Sequence, residues 1–561
     1  MTNMPYHLSL SKRLTEKLDN ADDQPIPIRI YLDESPALKP LQEAAQNDRQ
    51  NQDRKTVVRA MKTRFQERVA SIEPALSIKG AIQEKCWLSG SLVIKATKGQ
   101  VQAWRDSQNI PTSLSIDSFD YNANMLHPVP ELEYETVDLD DITTLQNTLS
   151  ENYTSLLDFQ SWREQLRHQF GGSPVAPWPI NFLDWKQASL LQALGPDPIF
   201  PQTHSSLFLS RGPQLAPIWS GLSSSITKTV YHSRQLVGGS ALSLEGEGVV
   251  VAVLDYGVAG HQDFIEEGTG ASRLLAGLDV TNNQVNAPSD EPHGTLIAGL
   301  IGSSVTGVAP KAQILPITIS SSPIGLAHAM EHALEKGAHV ICLADGWGRW
   351  SRNTEAVWWR RVCESLLAAG VLHATAAGNE GKSSKNNRQV PEQITCPADS
   401  PPPIHPLDRG ASSAIACGAY VPSTGKPAET NSVGPVAWGK RHFTTPYDDF
   451  PYPESGLAKP DLFAPGAELA TSDHGEKGHV RLGPASTSAA TAVTAGCLAL
   501  LAQASLGRGR KVAPEEAFEA LKATAQPFSS EHTAGYAEQW GHRIRVDHAY
   551  RYGAHPSRRW W

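Results

Sequence analysis

The sequence predicts an α/β protein in which a doubly wound, mostly parallel sheet follows a small α+β N-terminal domain. In the second half of the chain, short runs of consecutive apolar residues alternate with helical segments, which is typical of parallel strands covered by helices on both faces. In residues 1–120, an alternating strand is followed by a helix with a single apolar stripe. A chain of 561 residues is too long for one ordinary domain, and we expect three regions.

The first region, residues 1–120, is predicted to form a β-α-β-α-β domain with its helices on one side of a sheet. Strands are expected at Ile26–Leu32, at Leu92–Ala96 and near Ser113–Ile116, and a short helix at Gln100–Asp106. Apolar residues at three- and four-residue spacing predict a long helix after the first strand. These residues are Val57, Met61, Phe65, Val69 and Ile72.

The second region, residues 121–235, is predicted to be a partly helical connecting segment. A helical pattern runs from Ile142 to Gln169 and ends before a stretch rich in Pro and Trp. The Pro and Gly residues in this stretch indicate irregular structure. The many large apolar residues favour a segment wrapped on a neighbouring domain rather than a free linker.

The third region, residues 236–561, carries the α/β pattern. The predicted parallel strands are Val249–Leu254, Ala338–Leu343, Val371–Ala376 and Ser413–Ala419. The predicted helices between them include Leu326–Lys336 and Thr354–Ala369. Alternation of strand and helix predicts right-handed crossovers between parallel strands.

Composition argues against several classes of function. The formal net charge of −9 disfavours nucleic acid as a partner, because a phosphate-binding surface needs clustered Lys and Arg. No stretch approaches the ~18–20 consecutive apolar residues of a membrane span, and the N-terminus lacks the pattern of a secretory signal. The six cysteines are scattered without a close pair, so we expect reduced thiols and a cytoplasmic protein. We expect no metal and no cofactor.

Four polar residues stand at the ends of predicted strands or the starts of predicted helices, where α/β proteins bind their ligands. Asp255 follows the first apolar run in VAVLDYGV, and His293 opens a helix in DEPHGTLIAGLIG. Asn379 follows a later strand in ATAAGNEG, and Ser488 lies in GPASTSAATAVTAGCLALL, where a polar loop becomes an Ala-rich helix. In order and character these segments resemble the signature blocks of the subtilisin-like serine proteases (the subtilases). The resemblance covers roughly residues 246–553 and implies a subtilisin-like fold there.

The resemblance implies a catalytic triad of Asp255, His293 and Ser488. The chemistry needs these residue types, because a serine hydroxyl is a poor nucleophile until a base such as histidine takes its proton. Asp255 would hold the imidazole in one tautomer. The side-chain amide of Asn379 and the backbone N–H of Ser488 would stabilise the oxyanion of the tetrahedral intermediate. A serine endopeptidase acting on a protein or peptide substrate is therefore expected.

Three residues depart from the family pattern. Ser486 stands where the family has Gly, Ala492 where it usually has Pro, and Tyr256 where a small hydroxyl residue usually follows the aspartate. Ala inside a helix is no structural burden, whereas Ser in place of Gly would crowd a backbone that relies on glycine's freedom. We expect a divergent but active enzyme. The alternative is a catalytically inactive subtilase fold that serves as a peptide-binding or assembly module.

In the family, the strand before the oxyanion Asn edges the substrate cleft. The corresponding segment here contains Ala344, Asp345 and Gly346, and Glu380 lies beside Asn379. Two interpretations of Asp345 stay open. Its charge lines the cleft and favours a basic substrate residue, with Glu380 adding to this, or it caps a loop and faces water.

Residues 1–120 loosely resemble the inhibitory propeptide of the family, in the order of their elements and in the segment Leu92–Thr97. Such a domain would chaperone or block the protease. The long segment 121–235 that follows favours a second interpretation, in which residues 1–235 are permanent and recruit or sense a partner protein.

Overall fold

A computed structural model describes the N-terminal domain and the C-terminal α/β region. The chain forms two compact units, one of Met1–Glu135 with Tyr231–Trp561, the other of Thr136–Val230. Nearly all of the predicted connecting segment 121–235, including its helical pattern, lies outside the described residues. The described residues are 9–10, 12–21, 23–32, 54–78, 80–106, 114–118, 134–137, 230–285, 291–319, 323–346, 354–381, 393–404, 411–436, 457–510, 513–528 and 541–561.

The N-terminal domain is an α+β structure on a five-stranded sheet. Its strands are β1 (Ser9–Leu10), β2 (Ile26–Tyr31), β3 (Ile82–Cys86), β4 (Ser91–Ala96) and β5 (Ser115–Ser118), and a further strand, β6, is Tyr134–Val137. Its helices are α1 (Lys12–Asp19), α2 (Arg54–Leu76) and α3 (Lys98–Asp106). The sheet order is β1-β5-β2-β4-β3. Every predicted element is present, and the short or polar elements β1, α1 and β3 are additional.

The C-terminal region is an α/β structure on a nine-stranded, mostly parallel sheet. The strands before the middle of the region are β7 (Val250–Asp255), β8 (Leu278–Asp279), β9 (Gln284–Val285), β10 (Gln313–Thr318) and β11 (Val340–Leu343). The later strands of this sheet are β12 (Leu372–Ala376), β13 (Ala414–Val421), β14 (Lys426–Pro427) and β15 (Leu462–Pro465). Two further strands, β16 (Ala470–Ser472) and β17 (His479–Leu482), lie outside this sheet and pair with each other in antiparallel orientation. The helices are α4 (Ser233–Leu236), α5 (Pro292–Gly302), α6 (Pro323–Glu335), α7 (Thr354–Ala368), α8 (Thr487–Leu506), α9 (Pro514–Ala523) and α10 (Val546–Ala554).

The sheet has the order β14-β13-β12-β11-β7-β10-β8-β9, with β15 beside β13. The pairs β8–β9 and β13–β14 are antiparallel, and the other pairs are parallel. The chain leaves β7 for β10 on one side and then crosses to β11 on the other. The strand order therefore reverses at β7, and such a reversal opens a crevice at the carboxyl ends of the strands.

Helix α8 is the central helix of the C-terminal region and packs against α5, β11, β12 and β13. Nearly all of its residues are buried. Gly496 lets the helix approach its neighbours closely, because a Cβ there would lie 2.6 Å from the Cβ of Val308. Among the described residues, α8 alone is long and apolar enough to cross a membrane by length and composition, and its burial is that of a core helix.

The two faces of β2 serve two different cores, because successive side chains of a strand point to opposite faces. Ile28 and Ile30 belong to the core of the N-terminal domain. Arg29 and Tyr31 point the other way, toward the C-terminal region. The guanidinium of Arg29 lies 4.5 Å from the ring centroid of Trp358, and that of Arg361 lies 4.5 Å from the ring of Tyr31.

Helix α6 of the C-terminal region also contacts the N-terminal domain. The Glu331 side chain accepts a hydrogen bond from the backbone N–H of Leu88, with 3.0 Å between Oε1 and N. Lys62 and Glu335 form an exposed ion pair at 2.6 Å. Buried apolar side chains of both regions belong to one continuous core, which includes Tyr31, Val58, Met61, Leu88, Met330, Leu334 and Trp358. The N-terminal domain is thus packed on helices of the C-terminal region through a shared apolar core.

Candidate active site

The carboxyl ends of the central strands lie side by side, as expected of parallel neighbours. Leu343 of β11 is in register with Leu254 of β7, and Thr375 of β12 is in register with Leu343. Asp255, the last residue of β7, is fully buried at the point where the strand order reverses. The residues that follow these three strands therefore meet at one edge of the sheet.

His293 is the second residue of α5, after Pro292 at the first helical position. Its Nδ1 lies 2.9 Å from both carboxylate oxygens of Asp255. An ionised carboxylate only accepts hydrogen bonds, so Nδ1–H is the donor, which leaves Nε2 to accept a proton. Gly294 lets the start of α5 approach the segment that follows Asp255, because a Cβ at this position would lie 2.1 Å from the carbonyl oxygen of Gly257.

The charge environment of His293 favours the imidazolium. Burial alone would lower the pKa of His293, but the Asp255 carboxylate and its hydrogen bond outweigh burial, and Asp345 and Glu291 add to them, so the pKa is raised. The Nε2 atom is buried, and no described residue forms a hydrogen bond with it. His293 is therefore an oriented base with an unoccupied basic nitrogen.

Ser488 is the second residue of α8, and its side chain is almost completely buried. Ser486 is the N-cap of the same helix, and its hydroxyl accepts a hydrogen bond from the backbone N–H of Ser488 at 3.1 Å. The expected crowding at Ser486 is wrong, because its φ of −132° is extended backbone that any residue adopts. The capping role of the Ser486 hydroxyl also leaves Ser488 as the serine that is not used to start the helix.

Asn379 is fixed to the start of α8 by Thr487, a residue that the sequence did not single out. The Asn379 side chain accepts hydrogen bonds from the backbone N–H of Thr487 at 3.0 Å and from its hydroxyl at 3.1 Å. Because a backbone N–H can only donate, the atom facing it must be the amide oxygen. The amide NH₂ of Asn379 therefore points away from Thr487.

Hydrogen bonds connect the four predicted catalytic residues in two places, one direct and one through a neighbouring residue. Asp255 bonds directly to His293, and Asn379 bonds to Thr487, the neighbour of Ser488. No hydrogen bond joins His293 Nε2 to Ser488 in the described part of the chain. Catalytic hydrogen bonds of free enzymes are often long and tighten only when substrate binds.

The predicted substrate-contacting residues are mostly buried. Ala344 is 2% exposed, Asp345 8% and Glu380 7%, and Gly346 is half-buried. The idea that Asp345 faces water is wrong. Its Oδ2 accepts a hydrogen bond from the hydroxyl of Tyr256 at 2.7 Å, and its Oδ1 accepts one from the backbone N–H of Gly346 at 2.6 Å. The Asp345 carboxylate is thus held inside the protein, near Asp255 and His293.

The cysteine thiols lie in the interior of the protein. All six cysteines are free and buried. Within the described ranges, no group of three or more His, Cys, Asp and Glu side chains is arranged to hold a metal ion.

Curated relatives match about a quarter of the chain. The alkaline elastase YaB of Bacillus sp. (strain YaB) is 30% identical over 146 residues, which are 24% of this chain and 35% of the elastase. Subtilisin Savinase of Lederbergia lenta is 31% identical over 151 residues, 25% of this chain and 51% of Savinase. The chain thus spans about a third to a half of the length of these relatives.

Among solved structures, fervidolysin from Fervidobacterium pennivorans aligns with a TM-score of 0.46 at 15% identity, over 98% of this chain and 64% of that one. The prenylagaramide maturation protease PagA aligns with a TM-score of 0.38 at 23% identity, over 54% of this chain and 91% of that one. The sequence model of the subtilase family matches residues 246–553, which are more than half of the chain. This chain belongs to the subtilase family.

Proposed function

We propose that the protein is a serine endopeptidase in which Ser488 is the nucleophile, His293 the general base and Asp255 the residue that orients it. The observation that carries the proposal is the Asp255–His293 pair. The imidazole Nδ1 is held 2.9 Å from the carboxylate, and Nε2 is buried with no hydrogen-bond partner in the part of the chain that the structure describes. A base in this state is ready to take a proton from a serine hydroxyl.

The proposed reaction proceeds in two halves. His293 Nε2 takes the Ser488 hydroxyl proton as Oγ attacks the peptide carbonyl carbon, and the resulting imidazolium then gives that proton to the leaving amine. Water hydrolyses the acyl-enzyme by the same steps in reverse order. The amide NH₂ of Asn379 donates to the oxyanion in both halves, which is supported by the fixed orientation of its amide.

The substrate is proposed to be a specific intracellular protein or precursor peptide. Six free, buried cysteines are compatible with a reducing compartment, where disulfides are rare. Ala344, Gly346 and Glu380 stay predictions as substrate contacts, and a preference for basic substrate residues stays a prediction for Asp345. The N-terminal domain is proposed to be propeptide-like in its position, and its shared apolar core with α6 and α7 favours a domain that stays bound.

A fluorophosphonate probe, which reacts with activated serines, tests the proposed nucleophile. We expect labelling of the full-length protein, loss of labelling in Ser488→Ala and retention in Ser486→Ala. Peptide cleavage by the same three proteins should follow the labelling. Absence of both labelling and cleavage in all three, with the thermal unfolding midpoint of a folded protein, would support the inactive binding module instead.

A further inference from the structure

The carboxyl end of β11 places a second buried acid beside the triad. Leu343 is in register with Leu254, so Asp345 and Tyr256 lie two residues beyond the last paired positions of neighbouring parallel strands. Side chains at this level of the sheet come close to each other without any long loop between them. The juxtaposition of Asp345 and Tyr256 is therefore a consequence of strand register.

Tyr256 contacts both carboxylates with different groups. Its backbone N–H donates to Asp255 Oδ1 at 2.8 Å, and its hydroxyl donates to Asp345 Oδ2 at 2.7 Å. Burial first, and then the neighbouring Asp345, raise the pKa of Tyr256, so the phenol stays protonated and remains a donor. Asp255 also bonds to His293, so one chain of hydrogen bonds runs from His293 through Asp255 and Tyr256 to Asp345.

Both oxygens of Asp345 accept hydrogen bonds, one from Tyr256 and one from Gly346. Burial raises the pKa of Asp345, and these two hydrogen bonds oppose that rise, because donors to a carboxyl group favour its ionised, acceptor-only form. The same side chain is only 8% exposed, so water screens its charge poorly. Among the described residues, three acidic groups raise the pKa of His293: Asp255 from β7, Asp345 from the end of β11 and Glu291 from the residue before α5.

We propose that Asp345 is a positioning residue of the proposed protease: through the Tyr256 hydroxyl it holds the Asp255 segment in place, and its charge stabilises the imidazolium of His293. The inference rests on the proposed function, because an imidazolium forms only if His293 acts as the base. The inference assigns a role to the hydroxyl of Tyr256, which stands at a position where the family usually has a small hydroxyl residue. A small hydroxyl at that position would not reach Asp345.

The test compares the full-length wild-type protein with Asp345→Asn, Tyr256→Phe and the double variant, each checked by its thermal unfolding midpoint. For a peptide with Leu before the cleaved bond, we expect Asp345→Asn to lower kcat about tenfold with KM little changed. The acid limb of the kcat/KM profile should move to lower pH by about one unit, because loss of a nearby negative charge lowers the pKa of His293. Tyr256→Phe should give a smaller shift in the same direction, and the double variant should fall short of the sum.

Two results would overturn the inference. One is an unchanged acid limb in both single variants. The other is a loss confined to peptides with Arg before the cleaved bond, which would make Asp345 a specificity residue. Should Asp345→Asn fail to fold, Tyr256→Phe alone decides, since it removes one hydroxyl from the same chain of hydrogen bonds.

Failure of the proposed function gives a different result. A wild-type protein that neither cleaves peptides nor reacts with a fluorophosphonate refutes the protease. The effect of Asp345 on His293 is then measured directly by NMR titration of the imidazole resonance that disappears in His293→Ala. A lower midpoint in Asp345→Asn supports the electrostatic contact, and an unchanged midpoint overturns it.

Discussion

The side-chain hydroxyl of Ser486 accepts a hydrogen bond from the backbone N–H of Ser488, with 3.1 Å between the two heavy atoms. That N–H is the second donor proposed for the oxyanion, so the cap of α8 already occupies it. A substrate oxyanion must displace the Ser486 hydroxyl before the donor can act. A serine N-cap stabilises a helix by about 1 kcal/mol, which corresponds to roughly a fivefold change in rate if it is lost in the transition state.

We therefore expect Ser486→Gly to raise kcat by up to about fivefold, because glycine frees the Ser488 N–H and costs the helix cap only a few tenths of a kcal/mol. Steady-state kinetics on one peptide measures the change. Ser486→Thr keeps a hydroxyl at the same position and should give no such increase. An equal rise in both variants would mean that the hydroxyl does not compete with the oxyanion.

Asn379 should be the most sensitive residue outside the proposed triad. Asn379→Ala removes one proposed oxyanion donor, and we expect kcat to fall about 10²–10³-fold with little change in KM, because the donor acts only on the transition state. Thr487→Val is the matched control, since it removes the hydroxyl bond to Asn379 but keeps the backbone N–H bond at 3.0 Å. A loss in Thr487→Val as large as that in Asn379→Ala would show that Asn379 acts through the helix and not on the oxyanion.

The Asp255–His293 pair was implied by the resemblance to the subtilases, and local pattern predicted the two elements that present its residues. An apolar run predicted the strand that ends at Asp255, and a Pro-His-Gly start predicted the helix that presents His293. The strand β10 was not predicted, because Pro316 interrupts it, and proline argues against a central strand. Pro316 nevertheless pairs with Val253 between two neighbours, and burial on both faces outweighs the weak local signal.

Contacts between distant loops could not be predicted from local pattern. The link of Thr487 to Asn379 joins residues 108 positions apart, and that of Tyr256 to Asp345 joins residues 89 positions apart. Both depend on strand register and on the seating of α8, which no short window of sequence contains. For the same reason the sequence left two interpretations of Asp345 open, and its burial contradicts the one in which it faces water.

Asp263 is predicted to be the main source of acid sensitivity in the C-terminal region. Burial would raise its pKa, but the neighbouring His261 imidazole and hydrogen bonds from His479, Ser303 and Ser472 hold it well below the usual range. A depressed folded-state pKa gives stability that is present above the unfolded pKa of about 3.9 and is lost as pH falls below it. We expect Asp263→Asn to lower the free energy of unfolding by about 3–5 kcal/mol at neutral pH.

Chemical denaturation between pH 3 and pH 7 measures the effect of Asp263. The free energy of unfolding of the wild-type protein should fall as the pH is lowered, and that of Asp263→Asn should fall less steeply. Glu267→Gln, at an exposed position of the following turn, is the control and should follow the wild type. A variant with the wild-type slope would show that the acid sensitivity arises elsewhere.

Glu331, which bonds to Leu88 of the N-terminal domain, is expected to make the stability of the folded protein depend on pH. Burial raises its pKa to about 8, against the opposing bond from the backbone N–H of Leu88. A raised folded-state pKa gives stability that is full below the unfolded pKa of about 4.3 and is lost as pH rises toward the folded value. Between pH 5 and pH 8 the unfolded chain has released a proton that the folded protein keeps.

We therefore expect the free energy of unfolding to fall with rising pH over that range, at a slope of at most about 1.4 kcal/mol per pH unit from this group. Glu331→Gln carries no titrating proton and should remove that slope while keeping an acceptor for the Leu88 N–H. Glu335→Gln, on the same helix, removes only the exposed pair with Lys62 and should change stability by less than about 1 kcal/mol without altering the slope. Denaturant titrations at pH 5, 6, 7 and 8 distinguish the variants. If Glu331→Gln retains the wild-type slope, the carboxyl group is ionised in the folded protein, and the contact with Leu88 is a charged one that does not weaken as the pH rises.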